Sequence, residues 1–335
     1  MLTYVLRRLL LAVPILIGIS LIVFFMLHSA GGDPAVLKLG VRADPQSIAR
    51  LRHELGLDRP LVVQYLDFLS HAAVGDFGRS YRSNAPVADE IFARFPATIE
   101  LAVAAMVLGG SIGFVAGTIA GRRPHSLFDY SSTFGALVGI SIPTFWLGLI
   151  LIIVFGLWLE WLPLSGRVDP RLGVDPSVHF LVLSSLVHGN WPVFEDSLKH
   201  LILPAITLAG WPAAIVARMT RASLIEAMGQ DYVRTARAKG LAEGVIVRRH
   251  AYRNALIPVL TVVGLEFGSL LGGAVVTETV FAWPGVGKLT VDAIAARDYQ
   301  VTQAVVILLG AVFVLLNLFV DIVYALVDPR IRLSG

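Results

Sequence analysis

Six apolar runs divide this chain, five of them free of any formal charge, and each is of a length that crosses a lipid bilayer as a helix. They lie at Leu9–Gly32, Leu101–Gly121, Tyr130–Leu159, His200–Ala217, Asn254–Ala282 and Tyr299–Val320, the fifth interrupted only by Glu266 and Glu278. A helix needs about 20 apolar residues to span the hydrocarbon. A sequence that segregates its apolar residues in this way has too little polar surface to fold around a water-facing shell. Its 335 residues are 56% hydrophobic and only 15% charged, against about 25% charged in soluble domains. The expected fold class is therefore an all-α polytopic membrane protein with six transmembrane helices. The run Tyr130–Leu159 is too long for an upright helix and too short for two spans and a turn, so it reads as one tilted helix kinked at Pro143. A further uncharged stretch, Pro176–Phe194, contains only eight strongly apolar residues (Phe180–Val187) and reads as an interfacial or loop segment. Met1–Ala30 has an apolar run longer than a signal peptide's and reads as a retained first helix.

Charge sets the orientation. With the N-terminus inside, the inner segments 1–8, 121–129, 218–253 and 327–335 hold 14 basic and five acidic residues, and the outer segments 33–96, 160–199 and 283–298 hold 13 basic and 15 acidic. That bias satisfies the positive-inside rule with both termini cytoplasmic. A division follows into an N-terminal tail and first helix (1–30), an extracytoplasmic region (31–96) and a transmembrane core (97–335). The turn signals Gly32-Asp33-Pro34 and Gly75-Asp76-Phe77-Gly78, with an amphipathic helix around Gln46–Leu55, make the outer region a small ordered cap.

Chemistry-bearing motifs are scarce. The chain has no cysteine and its eight histidines show no metal-ligand spacing, so no metal site is expected. Pro284-Gly285-Val286-Gly287-Lys288-Leu289-Thr290 has the look of a phosphate loop. It lacks the first glycine (Ala282 stands there) and the Mg²⁺-binding hydroxyl after the lysine (Leu289), and it falls on the outer side. Glycines recur every fourth residue at Gly109, Gly113, Gly117 and Gly121, and again at Gly264, Gly268 and Gly272. Such series place a smooth groove on one helix face, for close packing or for a surface that slides during a transport cycle. Glu266 and Glu278 are the acids within the fifth apolar run, and each either lines a pathway or is satisfied by a neighbouring helix. Asp321, near the inner end of the sixth run, has Arg330 or Arg332 within reach as partner. The inner stretch Asp231–Leu241 contains no proline and ends at Gly240, which predicts a helix of about 15 Å. It is too basic for lipid, and serves either as a membrane-surface helix or as a dock for a cytoplasmic partner.

Several segments together resemble the permease subunits of bacterial binding-protein-dependent ABC importers, in their dipeptide/oligopeptide/nickel branch. They are Asp231–Leu241, Arg253-Asn254-Ala255-Leu256-Ile257-Pro258, Glu278-Thr279-Val280-Phe281-Ala282-Trp283-Pro284-Gly285-Val286-Gly287, Asp328-Pro329-Arg330-Ile331-Arg332, Gly32-Asp33-Pro34 and Gly139-Ile140-Ser141-Ile142-Pro143-Thr144-Phe145-Trp146. They run nearly end to end in the family's order. The resemblance implies that the loop 218–253 carries a coupling helix that docks on an ATPase subunit, between transmembrane helices 4 and 5. The general Glu-Ala-Ala pattern, anchored on Gly240, falls on Arg234-Thr235-Ala236, so the acid is replaced. The coupling residues are then Asp231, Tyr232, Arg234, Thr235, Ala236, Arg237, Lys239 and Gly240, with the basic ones meeting acidic groups on the partner.

Further implications are a second homologous permease subunit, two cytoplasmic ATPase subunits that carry ATP and Mg²⁺, and an extracytoplasmic substrate-binding protein. This chain itself would hold no cofactor, bind no nucleic acid and catalyse no reaction, and would reside in the bacterial inner membrane. Peptide is the implied cargo, with nickel and glutathione as alternatives in the same branch. An ion-coupled secondary transporter would need embedded ion ligands and an internal repeat, neither of which stands out. An intramembrane hydrolase would have only Glu266 and Asp321 for its acid–base pair.

Overall fold

A computed structural model describes residues 2–29, 33–40, 43–175 and 178–327. The closing motif at 328–332, with Arg330 and Arg332, lies outside the described residues, as do Gly32, Pro176 and Ser177. Among the described residues the chain is helical with no named strand. Helix α1 (Leu2–Ser29) is followed by the cap helices α2 (Pro34–Leu39), α3 (Pro45–Glu54) and α4 (Leu61–Ala72). Then come α5 (Val87–Arg122), α6 (Leu127–Ser141), α7 (Thr144–Leu151), α8 (Leu181–Val187) and α9 (Trp191–Met228). The remaining helices are α10 (Asp231–Ala238), α11 (Glu243–Val245), α12 (Tyr252–Val280), α13 (Val286–Ala295) and α14 (Tyr299–Val327).

Three Asp-Pro pairs start helical turns for one reason. The aspartate side chain accepts a hydrogen bond from a first-turn amide while proline, needing no partner for its absent N–H, takes the first helical position. Asp33 caps α2, Asp44 caps α3, and Asp169 caps the 3₁₀ turn Pro170–Leu172.

Five helices are long and apolar enough to cross a membrane, or six spans if one bent pair counts as a span. That pair corrects the expectation for Tyr130–Leu159. In place of one kinked helix there are two, α6 and the α7 segment continued in π-helical form through Trp158, whose axes meet at 98°. Proline at 143 forces Ile142 into an extended conformation (φ −79°, ψ 122°), because its ring clashes with a helical predecessor. The uncharged stretch around Phe180–Val187 forms only the seven-residue α8, consistent with a non-spanning segment. Helices α5 and α9 outrun their apolar cores, at 36 and 38 residues. The division at 96–97 falls inside α5, which passes through Pro96 unbroken.

The first glycine series explains how α5 and α9 pack. A Cβ at Gly109 would stand 2.6 Å from the Ala209 carbonyl oxygen, and at Gly113 2.5 Å from that of Ala213. At Gly117 it would overlap the Ala217 carbonyl and lie 2.7 Å from Thr220 Cβ, and at Gly121 it would lie 3.1 Å from Leu224 Cβ. Backbone thus meets backbone along four turns, an approach only glycine permits. The second series divides. Gly264 faces Val320 and Gly268 faces Phe313 on α14, whereas Gly272 meets nothing within 4 Å.

Where α5, α9 and α12 converge, Leu101, Ala105, Leu201, Leu208, Leu270 and Trp283 form the main apolar core. Helix α1 packs on α14, tied by Arg8–Asp321 at 2.7 Å and by Tyr4 Oη donating to Asp321 at 3.0 Å. Among the described residues Asp321 pairs with Arg8 and Tyr4, early residues that a search along the sixth run alone would pass over, while Arg330 and Arg332 lie outside them. In the cap, α4 touches α1, with the Tyr65 hydroxyl 2.9 Å from Ser20 Oγ and its ring edge-on to Phe24.

Candidate functional site: the α10 face and the embedded carboxylates

Helix α9 ends at Gly229, Gln230 is extended, and the chain turns directly into α10. Two residues three apart, Val233 and Ala236, are buried against Ile246, with Met228 partly buried beside them. Asp231 in the first turn and Arg237 in the last complement the helix dipole. Gly240 closes the element at φ +77°, the left-handed region natural to glycine at a helix end. The amides of Lys239, Gly240 and Leu241 bond back to Thr235, Arg237 and Ala236.

All eight residues singled out in the sequence therefore sit on one short element, but they divide by face. Asp231, Tyr232, Arg234, Thr235, Arg237, Lys239 and Gly240 are exposed, whereas Ala236 is buried and fastens the helix to its support. The basic residues are partly engaged within the chain. Arg234 pairs with Asp231 at 3.3 Å and Arg237 with Glu243 at 2.6 Å. The hydrogen bond to Glu243 raises the Arg237 pKa above its ordinary value, so this cation is permanent. Lys239 has no ion pair among the described residues. Tyr232, Leu241 and Val245 add exposed apolar surface beside these charges. Leu241 and Val245 were not singled out, because nothing in their local pattern distinguishes an outward from an inward apolar residue.

The two embedded glutamates part company. Glu266 is partly enclosed, beside the Trp211 side chain of α9. Glu278 is fully buried. It accepts from Thr98 Oγ1 at 2.7 Å and from the Lys288 amide at 2.9 Å, and Thr98 in turn accepts from the Val286 amide at 2.9 Å. These are first-turn amides of α13, which no backbone carbonyl of their own helix can satisfy. A Cβ at Gly285 would collide with the Glu278 carboxylate, and one at Gly287 would lie 2.9 Å from its Oε2. The stretch that looks like a phosphate loop is thus a cradle of amides filled by the chain's own Glu278 carboxyl group. Nearby, on the same side, Arg167 donates to Glu100 at 2.6 Å and to the Val178 carbonyl at 2.9 Å, with its guanidinium 6.0 Å from the Trp283 ring centroid.

Comparison with known proteins decides the family. Residues 113–333 match the binding-protein-dependent transport system inner membrane component, and residues 1–102 match the N-terminal part of the same kind of membrane component. The chain belongs to this family. Among relatives of this inner membrane component is the dipeptide transport system permease protein DppB of Alkalihalophilus pseudofirmus, 47% identical, with 99% of this chain and all of that one covered. The di/tripeptide permease DppB of Pseudomonas aeruginosa is also 47% identical, covering 99% of both chains. The glutathione permease GsiC of Escherichia coli K12 is 44% identical over 99% of both. An inward-facing structure of the MetNI methionine ABC transporter matches 69% of this chain and 94% of that one, with TM-score 0.50 and 18% identity, a likeness of fold alone.

Proposed function

We propose that this chain is a permease subunit of an ATP-driven importer that carries short peptides delivered by an extracytoplasmic binding protein. The full-length identity of 47% to dipeptide permeases carries the reading. In it, α10 is the coupling helix. Its exposed Tyr232, Arg234, Thr235, Arg237 and Lys239 seat in a groove of an ATPase subunit, and Val233 and Ala236 transfer the push to α9 and α12. MgATP stays on two such partner subunits, and a second homologous permease completes the gate. The Lys and Arg bias puts both termini and α10 in the cytoplasm. The glycine series on α5 makes α5 and α9 one stiff body, so a displacement at α10 is delivered at the far end of α9 without being absorbed between them. Glutathione is the second reading, favoured by 44% identity to a glutathione permease; glutathione is itself a tripeptide.

Co-expression with the candidate ATPases and binding protein, followed by reconstitution into liposomes, tests the reading. ATP-dependent uptake of labelled dipeptide, competed weakly by glutathione, is expected. Uptake by the isolated chain, or uptake driven by an ion gradient without ATP, overturns it.

Gly240→Val tests α10. A Cβ there would meet nothing within 4 Å, so the main cost is the left-handed backbone itself, about 1–2 kcal/mol, which re-aims the helix end. Membrane levels are expected to stay near wild type while dipeptide uptake per ATP hydrolysed falls about tenfold. Gly240→Asn, which tolerates this conformation, should retain most of the coupling. Arg237→Glu puts two like charges at the Glu243 site. Both side chains are about half exposed, so stability should change little and the loss should appear in ATPase docking.

A further inference from the structure

Helix α6 packs on α9 and α5 through few buried side chains. Of its 15 residues only Asp129 is buried. That carboxylate accepts from Arg221 Nη2 at 2.7 Å and from Arg221 Nε, and from the His125 amide at 2.9 Å, while the Asp129 amide is capped by Ser126. Arg221 lies on α9 two turns before its end, and its backbone is wedged against Gly121 of α5 (the Arg221 carbonyl would be 3.2 Å from a Cβ there). It therefore belongs to the stiff α5–α9 body that leads into α10. Beside the pair, α6 and α9 separate around a cavity of about 130 Å³ lined by Ser132, Thr133, Ala136, Leu137, Ala217 and Arg218. They approach again at Gly139 and Gly210, where a Cβ on either would meet the other's carbonyl at only 3.5–3.6 Å, ordinary contact. Beyond that lies the 98° break.

From this geometry we infer that Asp129 and Arg221 form the joint through which displacement of α10 reaches the broken span α6–α7. A helix with one buried anchor, a void beside it and no side-chain interlock above moves as a lever about that anchor. The bidentate pair fixes direction as well as distance, because a planar guanidinium fork constrains the carboxylate's orientation. The pair is a positioning device that touches no cargo. The inference rests on the proposed function, since it needs a nucleotide-driven displacement to transmit.

The test uses the whole transporter reconstituted with its ATPases and binding protein. The chain has no cysteine, so cysteines placed at Phe134 of α6 and Val115 of α5, both exposed, can be spin-labelled on this chain before assembly and report the α5–α6 distance. In the otherwise unaltered transporter, that distance should differ between nucleotide-free and ATP-bound states. In Asp129→Asn the difference should collapse, with ATP hydrolysis within about twofold of normal and uptake per ATP down about tenfold. Arg221→Lys, which keeps the charge but loses the fork, should fall between. An Asp129→Asn protein that keeps the full α6 displacement, or loses uptake and hydrolysis in equal proportion, overturns the joint. ATP-driven uptake by the unaltered transporter without any change in that distance overturns the joint as well, whereas an unaltered transporter with no ATP-driven uptake at all fails the proposed function instead.

Discussion

Gly113→Val is expected to abolish the folded protein, with membrane levels and monodisperse material in detergent falling to near background. Its Cβ would stand 2.5 Å from the Ala213 carbonyl, 2.9 Å from Val216 Cβ and 3.0 Å from the Ala217 amide. Two of these three atoms are backbone, so no rotamer change relieves them. Overpacking in a well-packed core costs about 1–3 kcal/mol and more where nothing yields, and here α5 and α9 would have to separate along several turns. Gly110→Ala is the matched control on the same helix. There the nearest atom is Met106 Sδ at 3.8 Å, and helix propensity favours alanine over glycine by up to about 1 kcal/mol. Levels and melting temperature should be unchanged or slightly raised. If Gly113→Val folds and melts as the parent does, α5 and α9 do not pack as described.

The second large effect is expected at Arg167. Its side chain is fully enclosed and that of Glu100 is 8% exposed. Arg167→Met leaves a buried carboxylate that keeps one hydrogen bond, from the Val182 amide at 3.0 Å, and loses its cation. Removing one member of such a pair costs about 3–5 kcal/mol, enough to lower the melting temperature by several degrees and to loosen Arg167 and Val182 from α5. The double variant Arg167→Met/Glu100→Leu removes both charges and should recover most of the loss, since apolar replacements of buried pairs are often neutral. Differential scanning fluorimetry of the four members of this cycle measures the coupling. A single variant as stable as the parent would mean that Glu100 reaches water, contrary to its burial.

The spans were legible because each is a local property, a block of apolar residues bounded by charge. The α5–α9 contact was legible too, since four glycines at intervals of four write a groove into one segment. The same spacing in α12 was less informative. Gly264 and Gly268 meet α14 and Gly272 meets nothing, because a groove in one helix says nothing about where its neighbour crosses. Pro143 announced a break without its angle, which depends on what each half packs against. Features built by distant parts were the least legible. Glu278 sits in an apolar run beside the outer boundary and invited a pathway role, yet its partners are Thr98, far back on α5, and amides of α13, a helix the sequence did not announce. The pairs Asp129–Arg221 and Arg8–Asp321 join residues that no local pattern connects. Within α10 the sequence placed all eight residues on one short element, but only the packing of Val233 and Ala236 on Ile246 separates its buried face from its exposed one.

The pairing of α1 with α14 has a consequence for how the protein is made. Tyr4 and Asp321 are 317 positions apart, and translation proceeds at about 5–20 residues per second, so α1 is made roughly 15–60 s before α14 exists. During that interval Arg8 has no counter-ion from α14 and is kept near the headgroups by its long stem. The α1–α14 contact is therefore a late step in assembly, formed after α1 has already met Tyr65 of α4.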